Sequence, residues 1–406
     1  MATPESKHTK RPPQPILGDL SQHRDVANAP IDLDARPEDV DAAIRFVRSY
    51  VGSSATVNAY RRELERLMQW SWRIADRSIF NLSRDDIEAF VRFSSSPPSA
   101  WIGDRAVPRF LTSNGELVPN PKWRPFVATA SGTANGKRSY RPSEAAVRST
   151  FAVLSSFYDF LTEEGKVQSN PVALIRQKSK FLKKQSGPAV VRRLTNLQWD
   201  YVIETLEAKA DAEPGKHERA LFILKCLFAM YLRISELVAD ERSTPTMGDF
   251  QRDMDGAWWF HVTGKGNKDR TIAVSDAMLE ALKRYRLFIG LTPMPSRGER
   301  TPLISKAKGD GPLTSTRQVR RIVQDCFDTA FDRMVEDGLE EDAQDLRAAT
   351  VHWLRHTGIS EDVKIRPREH VRDDAGHASM ATTDRYIESD RRERHKTSKK
   401  KPLTDL

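Results

Sequence analysis

The sequence predicts a mainly α protein with a small β-sheet, arranged as a helical domain followed by a mixed α/β domain. Apolar residues recur at helical spacing on both sides of a basic, Gly/Pro-punctuated stretch. Only two runs read as strands: Trp258-Trp259-Phe260-His261-Val262 and Thr271-Ile272-Ala273-Val274. The glycine-containing segment between them suits a hairpin turn. A chain of 406 residues is long enough for two or three domains, each with its own core.

Residues 1–35 are rich in proline and polar residues, lack periodicity and read as a flexible N-terminal arm. Order is expected from 36, where Pro37, Glu38 and Asp39 suit a helix start. Val40, Ile44, Val47 and Val51 mark the first apolar face, and Val57, Tyr60, Leu64 and Leu67 the second. Ser83 reads as the N-cap of a third helix carrying Ile87, Phe90 and Val91. A fourth helix spans about 143–163, with Val147, Phe151, Leu154, Tyr158 and Leu161 inward. These helices define a domain over 36–165. Residues 95–142 form an irregular insert, broken by Pro97-Pro98 and Pro119-Asn120-Pro121. Trp101, Phe110, Trp123 and Phe126 in that insert argue against disorder and for covering the domain surface.

A linker is expected over 166–194. Arg176, Lys178, Lys180, Lys183, Lys184, Arg192 and Arg193 make it basic, so it either tracks a phosphate backbone or is simply kept extended by its charge. Thr195 and Gln198 form a capping box that opens a second domain over 195–390. Residues 220–230 are apolar nearly all round and read as a buried helix. Further helices are expected at about 276–289, 316–335 and 350–361. Residues 391–406 form a basic C-terminal tail.

Lys and Arg number 65 against 56 Asp and Glu, for a net charge of +9, which favours a polyanionic partner. The two cysteines, Cys226 and Cys326, allow neither a disulfide framework nor a CxxC metal pattern. No apolar run reaches membrane-spanning length and no signal-peptide core is visible, so a cytoplasmic protein in a reducing compartment is expected, with no membrane partner.

One constellation carries chemistry. His352 and Arg355 stand three apart and share a helical face. His377 follows in Gly376-His377, and Tyr386 comes nine residues later. Upstream are Arg233, in Leu-Arg-Ile-Ser-Glu-Leu, and Lys265, in Gly-Lys-Gly-Asn-Lys. Guanidinium forks suit the oxygens of a phosphodiester and of its pentavalent transition state. A histidine can accept a phenolic proton, a lysine at a hairpin tip can protonate a leaving 5′ oxygen, and a phenol can be the nucleophile. Singly, each residue has a plainer reading. Arg233 could be a surface ion-pair partner, Tyr386 a core tyrosine, and Lys268 competes with Lys265. Glu236 reads as an ion-pair or capping residue that orients its neighbours, and His356 as a packing residue. His352 and His356 lack the glutamate of a zinc-protease pattern, because Trp353 follows His352.

In this order and spacing the residues resemble the tyrosine recombinases, or phage-type integrases. The match falls on Arg233, Lys265, His352, Arg355, His377 and Tyr386, and covers about 195–390. The resemblance implies a helical, SAM-like core-binding domain at 36–165 and a mixed α/β catalytic domain at 195–390. It further implies site-specific strand transfer on double-stranded DNA through a 3′-phosphotyrosyl bond, without cofactor, metal or ATP. It implies a homo-tetramer on its recombination sites in the nucleoid, with accessory proteins as further partners, and a C-terminal tail that docks on a neighbouring protomer. Two departures stand out: Tyr231 where the family usually has glycine before Leu-Arg, and Ala375 where leucine commonly precedes Gly-His. The competing functions are a catalytically silent DNA-binding accessory protein on the same scaffold, a type IB topoisomerase and, on charge alone, a helical RNA- or partner-binding module.

Overall fold

The computed structural model describes residues 12–18, 36–50, 54–128, 133–134, 137–138, 140–178, 193–264, 269–384, 386 and 398–399. They fall into two compact units, 1–186 and 187–406.

The first unit is built on α1 (Pro37–Arg48), α2 (Ser54–Trp70), α3 (Arg84–Ser95), α4 (Glu144–Glu163) and α5 (Pro171–Lys178). Local chemistry sets their ends. Ser83 and Asp86 cap α3 reciprocally, and Ser143 caps α4. The buried face of α1 is Asp39, Ala42, Ala43, Phe46 and Val47, rotated from the expected one, so that Val40 and Ile44 lie only at its flank. A buried carboxylate causes the rotation. Asp39 accepts hydrogen bonds from Trp72 Nε1 (2.6 Å), Ser78 Oγ (2.6 Å) and the Ile79 amide (3.1 Å), so its charge is satisfied inside the core.

Three expectations for this unit need correction. Residues 12–18 of the supposed flexible arm are docked. Leu17 is fully buried, the Ile16 and Leu17 amides donate to Glu65, and Gln69 Nε2 donates to the Gln14 carbonyl at 2.7 Å. The linker does not begin at 166, because α5 buries Val172 and Ile175 in the same core. The insert is less irregular than expected. β1 (Ile102–Gly103) pairs in parallel with β4 (Phe126–Val127), β2 (Phe110–Ser113) pairs antiparallel with β3 (Glu116–Pro119), and β5 (Thr133–Ala134) pairs antiparallel with β6 (Lys137–Arg138). Trp101, Trp123 and Phe126 are buried, Phe93 meets Trp101 edge-on, and Arg66 sits 4.5 Å over Phe126.

The second unit begins with α6 (Asn196–Ala212), capped by Thr195 and Gln198, and the apolar α7 (Pro214–Ala229). An antiparallel sheet follows, β7 (Phe250–Arg252), β8 (Trp258–Thr263) and β9 (Asp269–Ala273), in the order β7-β8-β9. Phe260 is paired with Phe250 on one side and Ile272 on the other, so one face of the sheet feeds the core. Then come α8 (Asp276–Phe288), α9 (Thr316–Glu336), α10 (Glu340–Ala348), α11 (Val351–Asp362), α12 (Arg368–Ala375) and α13 (Met380–Asp384). The short β7, α10 and α12 have no strong apolar period, and sequence spacing did not reveal them. Gly358 lets α11 press on α7: a Cβ there would lie 2.2 Å from the Phe228 carbonyl oxygen. Among the described residues no helix is long and apolar enough to cross a membrane. Apart from 398–399, the basic tail lies outside the described residues, as do residues 179–192 of the linker.

Candidate active site

The site is organised by the C-terminal end of α12. A helix leaves its last carbonyls without intrahelical partners and carries partial negative charge there. Gly376 ends α12 in the left-handed conformation (φ 63°), which turns those carbonyls outward. Three consecutive ones each receive a guanidinium. Arg270 Nε donates to the Asp374 carbonyl (2.9 Å), Arg355 to the Ala375 carbonyl, and Arg233 to the Gly376 carbonyl (3.3 Å). Gly376 also fits for steric reasons, because a Cβ there would come within 2.9 Å of Arg270 Cδ.

Glu236 holds two of these arginines from the other side. Its carboxylate accepts from Arg270 Nη1 and Nη2 (2.9 and 2.8 Å), from Arg233 Nη1 (2.8 Å) and from the Arg233 amide (2.8 Å). Burial alone would raise this carboxyl, but the hydrogen bonds and charge of Arg270, then of Arg233, bring it down to about 2. Arg355 is almost fully buried. Its guanidinium is fixed between the Ala375 carbonyl and the Tyr231 carbonyl. Loss of water and the nearby Arg233 charge lower it to about 10, so it stays charged at neutral pH.

Tyr231 itself is left-handed, with φ 49°. For a bulky residue this costs roughly 1–2 kcal/mol. At this departure from the family pattern tyrosine takes up the left-handed conformation that glycine adopts easily. Ala375, the other departure, is fully buried with its carbonyl in use.

The imidazoles and the phenol gather around this frame. His352 and His356 lie on α11 with ring centroids 4.2 Å apart. His356 is 5.1 Å from the Tyr386 ring, and His377 stacks on Tyr386 at 5.7 Å and 10°. His377 Nδ1 is 2.9 Å from Thr383 Oγ1 on α13, which leads to Tyr386. Desolvation, reinforced by Arg355, Arg233 and Arg270, depresses His377 to about 4. Desolvation and then Arg355 and Arg233 lower His352 as well. Both are therefore neutral at pH 7 and able to accept a proton. His356 Nδ1 is buried and makes no hydrogen bond among the described residues, which fits ring packing. Lys265 and Lys268 both lie outside the described residues.

Five of the six residues singled out in the sequence thus come together: Arg233, His352, Arg355, His377 and Tyr386. Chemically, two fixed guanidinium groups beside neutral imidazoles and a phenol can bind a tetrahedral oxyanion and move a proton. Arg270 was missed as an individual. Its signal was its place five residues after Lys265, two beyond the end of the Gly-Lys-Gly-Asn-Lys string. Asp374, whose carboxylate accepts from Arg366 Nη2 (2.6 Å) and from the Ala273 amide (3.2 Å), carried no sequence signal.

Glu236→Gln is expected to lower the unfolding free energy at pH 7 by about 3 kcal/mol, as for one removed partner of a buried ion pair. An amide brings N–H donors against guanidinium donors and offers one acceptor oxygen instead of two. The folded-state pKa of Glu236 is depressed to about 2 from 4.5. Its contribution is therefore complete above about pH 4.5 and lost as pH falls towards 2. Urea denaturation across that range should show the two proteins converging as the medium is acidified. A constant gap down to pH 2 would contradict the assigned charge.

No family model matches the chain. Among curated proteins, the tyrosine recombinase XerC of Chlorobaculum parvum is 25% identical over 246 residues, which is 58% of this chain and 66%, just under two thirds, of that protein. XerC of Xanthomonas axonopodis pv. citri is 24% identical over 342 residues, 83% of this chain and 87% of that protein. Among solved structures, the XerH site-specific recombinase bound to its palindromic difH substrate, in a post-cleavage complex, matches with a TM-score of 0.54. Its identity is 15%, covering 90% of this chain and 89% of that one. The Tn1549 transposon integrase in complex with circular intermediate DNA matches with a TM-score of 0.53 at 14% identity, covering 89% and 98%. The structural matches show the fold, and in sequence the chain is similar to the tyrosine recombinases.

Proposed function

We propose that the protein is a site-specific DNA recombinase or integrase that cuts and rejoins duplex DNA through a 3′-phosphotyrosyl intermediate. The observation that carries this is the convergence of Arg233 and Arg355 on adjacent carbonyls at the end of α12, with His352, His377 and Tyr386 around them. Arg355 uses two of its five N–H bonds on the Tyr231 and Ala375 carbonyls and turns the rest of the fork to phosphate oxygens. Arg233 supplies the second positive charge. Tyr386 Oη attacks the phosphorus, its proton passes to neutral His352, and the 5′ oxygen leaves with a proton from Lys265. His377 hydrogen-bonds the phosphate. Attack by a 5′ hydroxyl of a partner duplex reverses the steps and restores the phenol.

In this reading the unit carrying 195–390 is catalytic and the helical unit over 36–165 also binds the DNA. Four protomers join two sites. The relatives named as recombinases and the solved complexes of XerH and the Tn1549 integrase with DNA support the reading.

The test uses a pool of nicked duplexes with randomised cores. Expected is an adduct that survives detergent, is removed by protease and leaves a 5′ hydroxyl that a kinase can label. Binding without any adduct would favour the silent accessory protein. Efficient relaxation of supercoiled plasmid by the monomer, without exchange between sites, would favour a topoisomerase.

A further inference from the structure

Resting on the recombinase reading, we infer that Tyr231 is a positioning residue that sets Arg355 and seats Tyr386. Two independent paths lead from it to the same guanidinium. The direct one is its backbone: the left-handed turn at φ 49° points the Tyr231 carbonyl at Arg355, which donates to it. The second runs through its side chain. The Tyr231 hydroxyl donates to Asp362 and accepts from Arg366 Nη1 at 3.1 Å. Arg366 also binds Asp362 at 3.0 Å and, through Nη2, the Asp374 carboxylate at 2.6 Å. Asp374 immediately precedes Ala375, whose carbonyl takes the other end of Arg355. The phenol of Tyr231 therefore ties the start of the turn to the end of α12, and Arg355 is clamped between the two.

The ring has its own role. It is almost fully buried, it approaches Gly358 on α11 so closely that a Cβ there would lie 3.1 Å from its Cδ1, and it clusters with Ile359, Val371 and Ala375. Tyr386 packs against this same cluster. A glycine at 231 would form the turn with less strain but would supply neither the ring nor the hydroxyl. A chain that keeps tyrosine in a conformation favouring glycine uses what glycine lacks.

The test compares wild type, Tyr231→Phe and Tyr231→Gly on a nicked duplex at saturating DNA, in single turnover. A matched duplex carries a neutral methylphosphonate at the scissile position. Tyr231→Phe keeps the ring and the turn. Its cleavage is expected to slow roughly tenfold, less than the ~10²–10³ of losing a charge-stabilising donor outright. Its DNA affinity should stay within about threefold of wild type. Tyr231→Gly should lose at least as much, despite the easier turn. On the methylphosphonate, which asks less of Arg355, the Tyr231→Phe deficit should shrink towards parity, a change that a merely loosened fold would not produce. Should Tyr231→Phe fail to give a cooperative melt, Asp362→Asn, which keeps the tyrosine and its packing, carries the same expectation. Wild-type cleavage by Tyr231→Phe and Tyr231→Gly, or a deficit equal on both substrates, overturns the inference. A wild-type protein that forms no adduct on either substrate overturns the recombinase reading instead.

Discussion

Tyr386→Phe is expected to bind DNA as wild type does and to form no covalent adduct with it. The change removes one oxygen atom. The ring contacts survive, since His377 stacks on the Tyr386 ring and His356 lies 5.1 Å from it, and neither contact needs the hydroxyl. Packing against Ile359, Val371 and Ala375 also survives. Affinity should change by about threefold at most, below 1 kcal/mol, because the phosphate is gripped by the guanidinium groups. Among the described residues the other phenol beside Arg355, that of Tyr231, has its hydroxyl bonded to Asp362 and Arg366. The nearby imidazoles are neutral at pH 7 but belong to α11 and to the turn after α12, and the two cysteines are buried. Detergent gels of nicked-duplex reactions should show a labelled adduct for wild type and none for the variant, with gel-shift titrations nearly superimposed. An adduct of normal yield from Tyr386→Phe would assign the attack to another side chain.

The parts of this site that could be read in the sequence are those whose residue type the chemistry dictates. A phosphate asks for guanidinium groups, a phenol needs a proton acceptor, and the spacing of His352 and Arg355 places both on one helix whatever surrounds it. What was hidden is what backbone atoms do. The carbonyls of Tyr231, Asp374, Ala375 and Gly376 orient three arginines, and a carbonyl leaves no mark in a sequence. Arg270 could be seen but had no partner until β9 brought it to Glu236. The docking of residues 12–18 was invisible for the same reason: Glu65 and Gln69 hold main-chain atoms of a proline-rich segment far away along the chain. In the helical unit, periodicity located α1 to α4 but took α5 for linker and misjudged the face of α1. An apolar-stripe argument places Asp39 in solvent, whereas three donors from the segment after α2 draw it inside.

Arg355→Ala is expected to reduce cleavage by at least about 10²–10³ while the protein stays folded and still binds DNA. Two effects on stability oppose each other. Removing the guanidinium leaves the Tyr231 and Ala375 carbonyls without their donor, at about 1–3 kcal/mol for a buried group left unsatisfied. It also removes a charge that loss of water, and then the proximity of Arg233, make unfavourable, seen in the lowering of Arg355 to about 10. The net loss should therefore be modest. The chemistry has no such offset, because the charge that builds on the transition-state oxygens loses its best-fixed donor. Arg355→Lys separates charge from geometry. A single ammonium cannot bridge the two carbonyls and present a fork to the phosphate, and burial would pull its pKa down. It should fall close to alanine in rate despite carrying the same formal charge. Salt dependence gives a second readout, since a protein that neutralises one phosphate fewer should show a slope of log affinity against log salt flatter by about 0.9. If Arg355→Lys cleaves at the wild-type rate, the site needs only positive charge there, and the clamp between the Tyr231 and Ala375 carbonyls has no part in the chemistry. If the salt slope is unchanged in Arg355→Ala, the guanidinium does not meet a phosphate at all.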